Sequence, residues 1–221
     1  MRVHTFDYAN AGLFFPSLTP ADRLRAYGVV GGMPAYPAAC DPERSLEDNI
    51  RATVLRDDAC LRREPEYLLS QERSVDRPWE CACQDFLWRA FRNGSLGDVG
   101  FDRMGWWWEG RGAAESAEID AVALDGKRVA LVASCKWRNE YAKIGDLFEL
   151  RRAAQRIGAD EHTRQALFSR SGFDPSLVAL AQAEGVWLVT PEQMYADAGR
   201  PPSEASGASP TSRFESDHGH E

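Results

Sequence analysis

Apolar residues recur along the chain with two different rhythms, and the change between them suggests its organisation. Over residues 1–73 the recurrence is helical. Thr19-Pro20-Ala21-Asp22 reads as a helix start, a threonine cap followed by proline at the first helical position, and Leu24 and Tyr27 continue it toward Gly31-Gly32. Ser45-Leu46-Glu47-Asp48 is a second start, with Leu46, Ile50, Val54 and Leu55 forming one stripe behind it. Glu64-Pro65-Glu66 opens a third, short helix through Leu68 and Leu69.

Over residues 75–197 helical stretches alternate with extended ones. Trp79, Cys83, Phe86, Leu87, Ala90 and Phe91 give one buried helical face, closed by Asn93-Gly94. Apolar extended runs follow at Met104–Trp108, Ala117–Leu124 and Arg128–Trp137, with Asp125-Gly126 as a hairpin turn between the last two. A helix over Ile144–Ile157, a strand over Ala166–Ser169, a helix over Pro175–Ala183, a strand over Val186–Val189 and a short helix from Pro191 complete the pattern. The order α-β-β-β-α-β-α-β predicts an α/β domain with a mixed β-sheet flanked by helices. Residues 198–221, rich in Pro, Ser, Gly and Ala and acidic, read as a disordered tail.

Composition narrows the function classes. With 43% hydrophobic and 27% charged residues the chain is of globular type. No run approaches ~18 consecutive apolar residues, so no membrane partner is expected. The first residues lack the apolar core of a secretory signal, and five cysteines fit reduced thiols. Both point to a cytoplasmic protein. The net charge of −8 argues against nucleic-acid binding spread over the whole surface and leaves room for a local basic groove. Among 26 basic residues only Lys127, Lys136 and Lys143 are lysines, which draws attention to where they stand.

The chemistry gathers on the hairpin. Glu118 and Asp120 share one face of its first strand, and Ser134 and Lys136 share one face of its second, because side chains alternate with period two. A carboxylate opposite a lysine suits metal-assisted phosphodiester hydrolysis, the carboxylate holding Mg²⁺ and the lysine countering developing negative charge. From the residues alone, the same pair reads first as an ion pair at a sheet end. Trp106-Trp107-Trp108 reads as core packing with one ring over an edge, or as a stacking platform. Cys81-Ala82-Cys83 has no second pair to make a zinc site, and His4, His162, His218 and His220 form no catalytic pattern.

Glu118-Ile119-Asp120, followed after a strand-length spacer by Ser134-Cys135-Lys136-Trp137, resembles the Glu-Ile-Asp and Glu-Cys-Lys-Trp signature of the C-terminal domain of archaeal-type (DEXX-box) ATPases. Gly105-Trp106-Trp107, Leu167-Phe168-Ser169-Arg170-Ser171-Gly172-Phe173 and Pro78-Trp79-Glu80 are similar to other stretches of that domain. Gly31-Gly32-Met33-Pro34-Ala35-Tyr36, Asp48-Asn49-Ile50 and Glu64-Pro65 resemble the lid after the ATPase core, so the likeness covers about residues 5–195. It implies a helical lid-like region over 1–73 and a restriction-endonuclease-like, PD-(D/E)XK domain over 75–197. It further implies Glu80, Asp120 and Lys136 as catalytic residues, and Asp120 with Glu118 as metal ligands.

Three departures modify those implications. Ser134 stands where the family has its second metal-binding carboxylate, so Mg²⁺ binding and catalysis are expected to be impaired. No Gly-x-x-x-x-Gly-Lys-Ser/Thr loop occurs, so ATP binding is not expected. Only a few residues separate Glu72 from Trp79, where the family carries a winged-helix module. The expectation is a nuclease-fold, nucleic-acid-associated domain of a truncated member, with DNA as partner. The alternatives are a non-enzymatic module docking onto a separate ATPase chain and, third, an active metal-dependent DNase.

Overall fold

A computed structural model describes residues 5–55, 78–109, 116–198 and 213–215. The chain divides into two compact units between Asp85 and Phe86.

In the first unit, the cap chemistry read from the sequence sets the helices. Asp7 accepts from the Asn10 N–H at the start of α1 (Tyr8–Gly12). Thr19 accepts from the Asp22 N–H at 3.2 Å and opens α2 (Pro20–Val30). A short α3 (Ala35–Ala38) follows. Ser45 caps α4 (Leu46–Ile50) by accepting from the Asp48 N–H at 3.1 Å, and the helix widens into a π-helical turn over Arg51–Leu55. Phe15, Ala26, Val30 and Leu46 make the buried core, with Phe14, Leu18, Tyr36, Cys40 and Ile50 packed against it.

Gly31-Gly32 has a local structural reason in this unit. Gly31 ends α2 at φ 66°, and the Gly32 carbonyl accepts from the Phe6 N–H at 2.7 Å. A Cβ on Gly32 would lie 2.1 Å from the Phe6 carbonyl oxygen, so only glycine allows the two backbones to meet. The helix expected to start at Glu64-Pro65 lies outside the described residues.

The α5 helix (Pro78–Arg92) crosses the division between the units. Beyond it come β1 (Arg103–Trp108), β2 (Glu118–Asp125) and β3 (Arg128–Lys136), then α6 (Ile144–Arg156) and β4 (Arg164–Ser169). The series ends with α7 (Pro175–Glu184), β5 (Trp187–Val189) and α8 (Pro191–Ala198). The mixed α/β order is the one the periodicity predicts. The hairpin turn shifts by one residue: Asp125 still pairs with Arg128, so Gly126-Lys127 is the loop, with Gly126 at φ 61°.

The sheet runs β5-β4-β3-β2-β1-β6. Strands β3, β4 and β5 are parallel neighbours, and β2 is antiparallel to both β3 and β1. The last strand, β6 (Arg213–Glu215), pairs parallel with β1, placing Met104 opposite Arg213. A strand inside residues read from the sequence as a disordered tail follows from the unpaired N–H and C=O groups that an edge strand offers. On one face of the sheet α6 and α7 bury Leu147, Leu150, Leu177 and Ala181 with Val122, Val132 and Leu167. Aromatic contacts join α5 to β4 and β5: the Phe86 ring meets Phe168 edge-on at 5.7 Å and lies 5.4 Å from Trp187.

Candidate functional site

The antiparallel register brings the two halves of the hairpin signature together. Ala121 lies opposite Ala133, so Asp120 and Ser134 face each other one residue further on, on the same side of the sheet. The Ser134 hydroxyl donates to Asp120 Oδ2 at 3.1 Å, and the Cys135 N–H donates to the same oxygen at 2.7 Å. Ser134 is buried and Asp120 half-buried. The carboxylate thereby ties the start of β2 to the end of β3. Both bonds are charge-assisted, the stronger class of hydrogen bond.

Lys136, two residues beyond Ser134, shares that face and is half-buried. Its ammonium stands 4.0 Å from Asp146 Oδ1. Here the structure corrects the sequence. The carboxylate within ion-pair reach of Lys136, among the described residues, is Asp146 on α6, where the hairpin alone suggests Asp120. Asp146 is 93% withdrawn from solvent and has two further partners: Arg138 at 2.5 Å and the Lys143 N–H at 2.7 Å. Asp146 sits in the first turn of α6, where negative charge is favoured by the exposed N–H groups of the helix end. The sequence reading did not single out Asp146 or Arg138. A carboxylate in the first turn is a helix-start signal, but its burial against two cations depends on where β3 delivers the chain.

The other predicted residues are placed by their own elements. Glu118 is exposed at the start of β2, opposite Trp108 in the register. Glu80 lies in the first turn of α5 and is half-buried. Trp107 is buried, Trp106 half-buried and Trp108 40% exposed. Cys81 and Cys83 follow each other on α5, Cys83 buried.

The donor set is a weaker one for Mg²⁺ than a two-carboxylate site. Ser134 offers a neutral hydroxyl, and that hydroxyl and the Cys135 N–H both donate to Oδ2 of Asp120. Two buried polar atoms at this end lack a hydrogen-bond partner among the described residues, Arg138 Nε and Ser169 Oγ. Ser169 is paired with Lys136 in the β3–β4 register. An N–H and a hydroxyl beside two cations call for an acceptor oxygen, not a metal ion. Among the described residues no three of His, Cys, Asp or Glu group as a metal set.

Beyond the strand ends, the loops after β3 and β4 are fastened to each other. The Arg170 N–H donates to the Lys136 carbonyl at 3.1 Å and the Ser171 hydroxyl to the Arg138 carbonyl at 2.7 Å. The Ala142 N–H donates to the Gly172 carbonyl at 3.0 Å, and the Asp174 N–H to the Ala142 carbonyl at 2.9 Å. Asp174 also caps α7, and its carboxyl is held below the usual range by the Ser176 hydroxyl, then the Ser176 N–H, with the Lys143 charge adding to both.

Residues 68–148 match the model of the DUF234 family, described as archaeal and bacterial proteins of unknown function. That segment contains α5, β1 to β3 and the first turns of α6, hence Asp120, Ser134, Lys136 and Asp146. The crystal structure of protein VC1899 from Vibrio cholerae is similar with a TM-score of 0.44 and 14% identity. The likeness covers 86% of this chain and 51% of that one, so the chain spans about half the length of the Vibrio protein. No curated protein matches the sequence. Among the described residues no helix is long and apolar enough to cross a membrane.

Proposed function

We propose that the chain is a nuclease-fold module, related to the C-terminal domain of archaeal-type ATPases, whose catalytic position has become structural and which associates with nucleic acid without cutting it. The observation that carries this is the Ser134 hydroxyl donated to Asp120, with Lys136 beside it on the same face. In a two-carboxylate site the residue at 134 would present negative charge to a metal. Here a neutral donor closes the carboxylate into the sheet, and Lys136 finds its counter-charge on α6. The nucleic-acid part is supported by Lys136, Arg138, Lys143 and Arg170, which gather at this end of the sheet and include two of the three lysines in the chain.

The test is cleavage of single- and double-stranded DNA by the purified chain with Mg²⁺ or Mn²⁺. No cleavage is expected. Turnover abolished by Asp120→Ala would sink this reading and establish the active DNase.

A second reading, a non-enzymatic module that docks onto a separate ATPase chain, is favoured by Leu13, Val29 and Met33. These are exposed apolar side chains of the first unit, Leu13 at 73%. Co-purification with an archaeal-type ATPase core, lost on Leu13→Asp, would favour it.

A further inference from the structure

We propose that the fastened loop pair beyond β3 and β4 is a stacking platform for single-stranded nucleic acid, with the Tyr141 ring receiving an unpaired base and Arg170 and Lys143 meeting the flanking phosphates. The proposal rests on the nucleic-acid reading above and narrows it to one strand state and one ring.

Tyr141 is 57% exposed, yet the backbone beneath it is fixed. Its neighbour Ala142 is fully buried, donates its N–H to the Gly172 carbonyl and accepts the Asp174 N–H. Gly172 sits at φ 91°, and a Cβ built there would lie 3.7 and 3.8 Å from Tyr141 Cε1 and Cδ1. The ring therefore stands beside Gly172 with room for a methyl group between them, and more than half of the residue stays open to solvent. A ring on a fixed backbone, with two side-chain torsions, loses little freedom on stacking.

The charges around it decide what the ring receives. Lys136, Arg138, Lys143 and Arg170 are the cations at this end, and Glu140, Asp146, Glu149 and Asp174 the acids. Asp146 is taken by Arg138 and Lys136, and Asp174 accepts from Ser176. Arg170 donates to Asn139 and lies 5.2 Å over the Trp137 ring, and among the described residues no carboxylate pairs with it. Lys143 is exposed next to Ala142. Two accessible cations make a weak phosphate footprint, too small to hold a duplex by charge alone on a chain of net charge −8. Base stacking must then supply the affinity, and only an unpaired base has a free face to stack.

The experiment is fluorescence anisotropy of the full chain with labelled oligo-dT and with its oligo-dA duplex, at low and moderate salt. The single strand is expected to bind and the duplex far less. Tyr141→Ala is expected to weaken single-strand binding about 5- to 140-fold, the worth of one ~1–3 kcal/mol stack. Tyr141→Phe is expected to retain it. The salt slope is expected near −1.4, about 0.7 for each of two phosphates. Tyr141 is an exposed loop residue, so the alanine variant is expected to fold, with the unchanged melting curve as the check. Unaltered binding by Tyr141→Ala, or a preference for duplex, overturns the platform and leaves the nucleic-acid reading standing. Binding of neither form overturns both and assigns the exposed ring to a protein partner.

Discussion

Asp120→Ala separates a structural carboxylate from a catalytic one by the sign of its effect on stability. In the native chain Asp120 Oδ2 accepts from the Cys135 N–H at 2.7 Å and the Ser134 hydroxyl at 3.1 Å. Hydrogen bonds to an ionised group each contribute ~1.5–3 kcal/mol, and stranding a buried donor costs ~1–3 kcal/mol. Asp120 is only half-buried, so water recovers part of this. The Ser134 hydroxyl can also rotate to another acceptor, whereas the Cys135 N–H cannot. The net loss expected is about 2–4 kcal/mol. For a unit of this size ~1 kcal/mol moves Tm by about 3 °C, giving a fall of about 6–12 °C. The assay is thermal and urea unfolding followed by tryptophan fluorescence, with Asp120→Asn as the variant that keeps one acceptor oxygen and loses less. Combining Asp120→Ala with Ser134→Ala should give a coupling energy of ~1 kcal/mol, since each removes the other's partner. A carboxylate retained for chemistry is commonly held at a cost to stability, and its removal leaves Tm unchanged or higher. A rise in Tm, or a change within about 1 °C, would refute the structural role.

Ser134→Glu should lower Tm in chelator by about 3–9 °C, from ~1–3 kcal/mol of like-charge crowding beside Asp120 and overpacking at a buried position; added Mn²⁺ should recover part of the loss, and equal melts with and without metal would count against a restored ligand pair. Gly32→Ala should destabilise the first unit by several kcal/mol, on the order of 3, because the new Cβ meets the Phe6 carbonyl backbone and not a movable side chain; near wild-type circular-dichroism melts would show that the two backbones part easily. Asp174 titrates below the usual carboxylate range, so its contribution is present above that range and disappears as pH falls through the lowered native value. Asp174→Asn should therefore flatten the acid limb of the stability curve while keeping the α7 cap, and an unchanged acid limb would remove Asp174 from the acid transition.

Most elements were legible because the signals that specify them are local. Pro20, Pro175 and Pro191 stand at helix starts, Thr19 and Ser45 cap as their types predict, and Gly126 turns the hairpin. The facing of Asp120 and Ser134 was not legible: the two-residue turn alone would set Asp120 opposite Ala133, and a β-bulge between Ala123 and Leu124, which no local signal encodes, shifts the register by one. Asp146 was not legible as a partner. Its place against Lys136 depends on how seven loop residues return the chain to α6, and no period or cap encodes that. The same holds for Tyr141 and Gly172, separated by about thirty residues and joined only because β3 and β4 are parallel and end together. The β6 pairing was missed because three residues in a polar segment carry no strand signal above their surroundings.

The charge count at the sheet end bears on the proposed absence of catalysis. At this sheet end the group of Asp120, Asp146, Lys136 and Arg138 carries two negative and two positive charges, Asp146 paired with both cations and Asp120 hydrogen-bonded to Ser134 and Cys135. That group is neutral before any ion arrives. A divalent cation entering it would leave two uncompensated positive charges in a partly buried place, where charge without a partner is most costly. A carboxylate at 134 would make the group negative by one and supply a ligand, but half the charge of the ion would still be unmatched. Glu118, the other acid on the face of Asp120, is exposed one repeat outward, where water screens it. On the proposed reading Arg138 is as much a barrier to metal-assisted cleavage as Ser134 is. It pairs with Asp146 at 2.5 Å while Lys136 stands 4.0 Å from the same carboxylate, so two cations already occupy the place a metal's charge would need. On the proposed reading this sheet end meets phosphate without cutting it.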